Sequence, residues 1–451
     1  MIIFRFFKKR FIILSFCIFF GGALFHYLLS SKMEFVKYNI DNKFLYFKIQ
    51  DYAYHILITK SFWFENFGDI YKLDFQQKVL STYLGSDISL AMPLGITPVA
   101  MVVWLPFAFI AKYDMALSYT FWSISSITLL FLSLWKFLKK RCQENKSISL
   151  PFYLVVVTIY SPAAFVALLL GQTSIFAVGL IVLIIDYIFE KNSKPKNFFA
   201  IAYIAILVFM IGIKPSYLLI IFGLLAIYGL WKELFLSGFL MIGYFIAFSL
   251  LLGIEWIFSY KNLMEMYTSG VFPNEYSWSI VPGTMNIFRS AFRNLVGDSF
   301  AVLISSSVTL AVYFIVFCYS IMKSTNFFGK EIKFERSQVF ILLVSSYLLF
   351  APYAGSYEDV LFIPIFLVLL ISYKMPNAID FKGFILILLL FFSLSQIVFS
   401  SSEFMLFFWL MKFVFIWFLI IYCILASNVE NIIINIFQNK REDLSKSSKN
   451  V

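Results

Sequence analysis

Apolar stretches long enough to cross a bilayer recur along the whole chain, and they leave little choice of solvent. Runs of about 17–25 apolar residues make a membrane span. Such runs lie near 11–30, 93–111, 116–135, 150–170, 174–189, 198–213, 215–230, 234–256, 299–321, 338–355, 360–373, 384–400 and 405–426. A water-soluble fold of this size would need a charged skin. Only 14% of the 451 residues are charged, 61% are hydrophobic, and the mean hydropathy is +0.87. A backbone in lipid must satisfy its own hydrogen bonds, which leaves helices for spans of this length. The expected fold is an all-α polytopic membrane protein of about 12–13 transmembrane helices. It forms one integral-membrane domain over 1–427, followed by a polar tail at 428–451.

Charge sets the expected orientation. The formal net charge of +11 collects at segment ends: Lys8, Lys9 and Arg10; Lys139, Lys140 and Arg141; Lys191, Lys194 and Lys196; Lys323, Lys330, Lys333 and Arg336; Lys440 and Arg441. That is the bias of cytoplasmic loops rather than a nucleic-acid footprint, so the expected surroundings are a bilayer and no nucleic acid. The reading is a multi-pass protein of the inner (plasma) membrane with its N-terminus and tail in the cytoplasm. The N-terminal apolar run resembles a signal sequence, but "FGGALFHYLLSS" offers no small-x-small cleavage site, so it reads as an uncleaved first span. From residue 150 onward the sides alternate without conflict. Gln172, Lys214, the second external loop at 257–298, Glu358 and Asp359 then fall on the extracytoplasmic face, with the first external loop at 31–92. One stretch strains this scheme. Pro93, Pro98 and Pro106 make 93–111 a poor straight helix, so either it is re-entrant or broken, or the basic 136–146 stretch departs from the charge rule. The four cysteines are scattered without metal-ligand spacing, and neither a disulfide nor a metal site is expected.

Several polar residues gather on that outer face. "KIQDYAYHILITKSFWFENFGDIYKL", residues 48–73, is too polar to span and has the apolar spacing of a helix lying in the interface. Asp51 and His55 stand one turn apart on it. A carboxylate and an imidazole so placed suit a general base and a group that orients a substrate hydroxyl. Asp51 as a helix cap is the alternative. In "SPAAFVALLLGQTS" the pair Gly171-Gln172 separates two apolar runs, as a tight turn would. In "LVFMIGIKPSYLLIIF" a full charge, Lys214, and a helix breaker, Pro215, interrupt what otherwise reads as membrane span. Such a charge is costly unless it meets water, a partner or a ligand. Snorkelling explains many lysines at helix ends; on the outer face an anionic partner such as phosphate is the sharper reading. "APYAGSYEDVLFIP" carries Glu358 and Asp359, and the 257–298 loop carries Arg289. There is no phosphate-cradling glycine loop, no HExxH and no nucleophile elbow, so any driving energy arrives with the substrate or through an ion gradient.

The order of these features resembles the glycosyltransferase 87 family, polytopic GT-C-type enzymes that include bacterial mannosyltransferases. The resemblance rests on Asp51 opening a helix in the first external loop, on Gly68 with Tyr71, on the Gly171-Gln172 turn and on Lys214-Pro215. It covers about residues 40–235, and more faintly "SWSIVPGTMNIFRSAF" and "FAPYAGSYEDVLFIP". It departs from the family where "AMPLG" replaces paired prolines. The resemblance implies an inverting transferase that takes a mannose-like hexose from a polyprenyl-phosphate-linked sugar and gives it to a lipid-linked or cell-envelope glycan acceptor at the outer face. It needs no cofactor beyond the donor. Asp51 would be the base, and His55, Tyr71, Gln172, Lys214, Arg289, Glu358 and Asp359 would bind substrate. A polymerase or ligase of lipid-linked oligosaccharides is the nearest alternative, and a lipid or solute transporter the more distant one.

Overall fold

The computed structural model describes residues 50–65, 68–84, 96–142, 164, 167–168, 171–190, 197–269, 340–341, 343–345, 347–348, 360–361 and 363–365. These residues are all-α, with no strand among them. Helix α1 (Gln50–Lys60) runs into a π-helical turn (Ser61–Glu65). Then follow α2 (Leu73–Leu84), α3 (Pro98–Val103), α4 (Leu105–Ala111), α5 (Met115–Cys142), α6 (Ser174–Glu190), α7 (Phe198–Ile211), α8 (Pro215–Ile227), α9 (Trp231–Leu252) and α10 (Trp256–Ser269).

Helix starts follow from local chemistry. The Thr97 side chain caps α3 by accepting from the Ala100 amide, ahead of Pro98 at the first helical position. Asp114 accepts from the Leu117 amide at the head of α5, and Asn197 accepts from the Phe199 amide at the head of α7. Among the described residues, two helices are long and apolar enough to cross a membrane: Met115–Phe137 within α5, and α9. At 1.5 Å per residue, α9 spans about 33 Å, against a hydrocarbon core of about 30 Å. One face of α9 suits that setting. Phe235, Phe239, Ile242, Ile246 and Leu250 recur at helical spacing and stay exposed, Phe239 by 72% and Leu250 by 84%.

The helices define two ends. Trp122 meets Phe176, the Leu129–Leu130 backbone lies against Gly179, and Lys136 pairs with Asp186, so α5 and α6 run parallel. Helices α7 and α9 run the other way, from the end holding Asp186 and Glu233 toward the end holding Lys214. The near end collects the heads of α5, α6 and α8, all of α1 and α3, and the 253–260 segment.

The Pro-rich stretch stays at this near end. Helices α3 and α4 are short, and they break at Trp104, where Pro106 lacks an amide hydrogen. Residues 98–111 would extend about 21 Å even as one helix. Thr97 at their start bonds the Gly212 carbonyl, and Phe107 near their end accepts from Ser118 at the head of α5. Both anchors lie at one end of the bundle, so this stretch turns back instead of crossing it.

Candidate functional site

The site grows from two interrupted helices and a third helix laid against them. The first interruption is the Gly171-Gln172 turn. The Gly171 amide donates to the Leu168 carbonyl (2.9 Å) and the Gln172 amide to the Ala167 carbonyl (2.8 Å), the paired closure that ends a helix on a left-handed residue. Gly171 has φ +66°, and a Cβ there would stand 2.4 Å from Tyr52 Cβ of α1. Glycine is therefore required both by the turn and by the close approach of α1. Gln172 is partly buried, and two residues on, Ser174 opens α6.

The second interruption separates α7 from α8. Gly212, Ile213 and Lys214 each donate to the carbonyl three residues back, at 2.9, 3.2 and 2.9 Å, which tightens the end of α7. Pro215 then starts α8, with Lys214 in the capping position. The Gly212 carbonyl that this break would strand accepts from the Thr97 hydroxyl at 2.9 Å. Lys214 Nζ donates to Ser174 Oγ at 2.6 Å and lies 5.1 Å from the centroid of the Tyr217 ring. Next to it in sequence, Ser216 accepts from Tyr347 Oη at 2.9 Å. An ammonium thus stands where the positive ends of α6 and α8 come together, an arrangement that favours an anion.

Helix α1 supplies the facing wall. Tyr52 Oη lies 2.6 Å from Ser118 Oγ, and because the Ser118 hydroxyl donates to the Phe107 carbonyl, Tyr52 is the donor to Ser118. That chain ties α1 to α4 and α5. One turn on, His55 stacks on Trp104 with ring centroids 6.1 Å apart and planes 7° from parallel. Its Nδ1 is buried without a hydrogen-bond partner. Burial, and then the nearby Lys214 charge, push the His55 pKa down to about 4. The imidazole is therefore neutral at physiological pH.

The structure brings His55, the Gln172 turn and Lys214 to one end of the bundle. Asp51 lies within α1, one turn before His55, rather than ahead of the helix; its side chain lies outside the described residues, as do Arg289, Glu358 and Asp359. Tyr71 belongs to a second group. Its ring packs on Trp256 (5.4 Å) and Tyr260 (5.0 Å), while Asp69 accepts from the Tyr71 amide and from the Ser259 hydroxyl. The Tyr71 hydroxyl is buried without a hydrogen-bond partner, and burial raises its pKa far above the usual phenol value. Among the described residues no three metal-ligating side chains converge.

Sequence reasoning missed Ser174, Trp104, Tyr217 and Tyr347. Ser174 had a signal, a hydroxyl residue at the head of an apolar run after Gly-Gln. Trp104 had one too, a lone indole between the breaks at Pro98 and Pro106. Nothing in the sequence joins Tyr347 to Ser216, which lies 131 positions away. No protein-family model, curated protein or solved structure matches the chain.

Proposed function

We propose that this chain is a polytopic GT-C-like membrane glycosyltransferase. It moves a hexose from a polyprenyl-phosphate donor to a lipid-linked or cell-envelope acceptor at the extracytoplasmic face. The observation that carries the reading is the position of Lys214. Its ammonium lies at the junction of two helix N-termini, hydrogen-bonded to Ser174, beside an imidazole that stays uncharged. A phosphate on a lipid tail matches this chemistry: the anion meets the lysine and the helix ends, and the tail meets apolar helix faces.

In the proposed reaction the Asp51 carboxylate takes the proton of the acceptor hydroxyl. The freed oxygen attacks the anomeric carbon from the face opposite the phosphate. The bond from that carbon to the phosphate oxygen breaks with its electron pair, and polyprenyl phosphate leaves carrying the added charge. Lys214 steadies that charge as it develops, which is where a fixed cation acts most strongly on a rate. The sugar emerges inverted, and no nucleotide or metal is called upon.

The test is Lys214→Met in the full-length purified chain. Affinity for polyprenyl phosphate should fall by about 100-fold, on the scale of removing one charge-stabilising donor, while the protein stays folded. Unchanged affinity rejects the reading.

A further inference from the structure

We infer that His55 reads a hydroxyl of the hexose carried by the phosphate, so that α1 recognises the donor sugar while Lys214 recognises its anion. The inference rests on the proposed donor and adds to it which part of that donor each wall contacts.

Three observations point to a neutral hydroxyl as the His55 ligand. First, Nδ1 is a buried polar atom without a hydrogen-bond partner, whereas the hydroxyls of α1 at Tyr52 and Thr59 are matched, Tyr52 with Ser118 across to α5 and Thr59 with the His55 carbonyl within α1. A buried polar atom is rarely left unmatched unless something else supplies the bond. Second, the ring lies parallel to Trp104, which fixes its plane. A half-turn about the Cβ–Cγ bond preserves that stack while exchanging Nδ1 with the opposite ring carbon, so the partly buried side chain can present the nitrogen to either side. Third, the Lys214 ammonium lies near His55 and opposes the imidazolium. A neutral imidazole adds no charge to the hold on a phosphate. It has one donor and one acceptor nitrogen, and a hydroxyl, being both donor and acceptor, satisfies whichever one faces it.

Position then assigns the hydroxyl. The anomeric carbon is one bond from the phosphate oxygen, so a phosphate held at Lys214 carries its sugar ring within the reach of neighbouring side chains. His55 is such a neighbour, and Asp51 lies one turn before it on α1.

The experiment compares binding of bare polyprenyl phosphate with binding of its mannosyl, glucosyl and galactosyl esters, using the full chain in lipid nanodiscs. The wild-type protein should bind at least one ester more tightly than bare lipid phosphate. His55→Phe keeps a ring on Trp104 but removes both nitrogens. It should lower affinity for that ester about tenfold, the scale of one lost buried hydrogen bond, and leave bare lipid phosphate within about twofold. His55→Asn returns a polar atom near the Nδ1 position and should recover part of the margin, which separates loss of the contact from loss of the fold. The inference is overturned if no ester exceeds bare lipid phosphate. It also fails if His55→Phe weakens ester and bare phosphate equally, or raises only the KM for the acceptor. Failure of the phosphate assignment looks different: Lys214→Met would then leave bare lipid phosphate binding unchanged.

Discussion

At the far end of the bundle, polar groups close on one another across helices. Lys136 of α5 lies 3.3 Å from the buried Asp186 carboxylate of α6, and Tyr187 donates to the buried Glu233 of α9 at 2.9 Å. At the near end, helix meets helix mostly through backbone carbonyls, hydroxyls and aromatic rings. Among the described residues there, the buried His55 Nδ1 and Tyr71 Oη are without a hydrogen-bond partner. The far end joins its helices through Lys136, Asp186 and Glu233, and the near end carries the cluster of Lys214, His55 and the Gly171-Gln172 turn.

Substitutions can break or sharpen the contrast. The largest expected effect is on turnover. Asp51→Asn should lower sugar transfer by about 10³-fold, within the range of a lost general base, with insertion and donor binding intact. Retained transfer in a membrane assay would remove Asp51 as the base.

Next comes Gly171→Ala, which forces a side chain into a left-handed residue and against Tyr52. Thermal unfolding in detergent should show a loss of about 2–4 kcal/mol, the range for strain plus overpacking. Lipid-phosphate binding should weaken with it, because the turn carries Ser174.

A comparable but pH-dependent effect follows from His55. Its pKa is about 4 in the folded chain against an ordinary 6.5, so the unfolded chain takes up the proton first. Its contribution is complete above pH 6.5 and is lost as pH falls from 6.5 toward 4, by up to about 3 kcal/mol. Relative to His55→Phe, wild type should lose stability along that window as the pH is taken from 8 to 4. An inflection in activity near pH 6.5 that disappears in His55→Phe would contradict a neutral imidazole.

The smallest effect is expected at the far end. Tyr187→Phe removes one hydrogen bond to Glu233 and should cost about 1 kcal/mol of stability while leaving lipid-phosphate affinity unchanged. A large loss of binding there would erase the distinction between the two ends.

Much of the frame is legible in the sequence because apolar periodicity and helix punctuation are local. The run at 174–189 is α6, those at 198–213 and 215–230 are α7 and α8, and Lys214-Pro215 marks their break because proline tolerates only the first position of a helix. Gly171-Gln172 was readable for a similar reason. What stayed hidden depends on distance along the chain. The Pro-rich stretch could be given either a crossing or a return, and the contact that holds the start of 98–111 at the near end, Thr97 on Gly212, joins residues 115 positions apart. Ser174 as the hydroxyl that receives Lys214, and Trp104 as the plane under His55, depend on how helices pack, which one sequence does not reveal. The α1 reading stands between these cases: its helix was legible from spacing, while its docking on Trp104 was not.

The Thr97 hydroxyl has a consequence for motion. As donor it holds the Gly212 carbonyl, two residues before the lysine; as acceptor it holds the first turn of the short helix that ends at Trp104. A single oxygen thereby yokes the floor under the ammonium to the plate under the imidazole. If one shifts when cargo arrives, the other is carried along, so the two contacts are set in register before either is filled. Replacing that oxygen with a methyl group, as in Thr97→Val, would let each drift by itself.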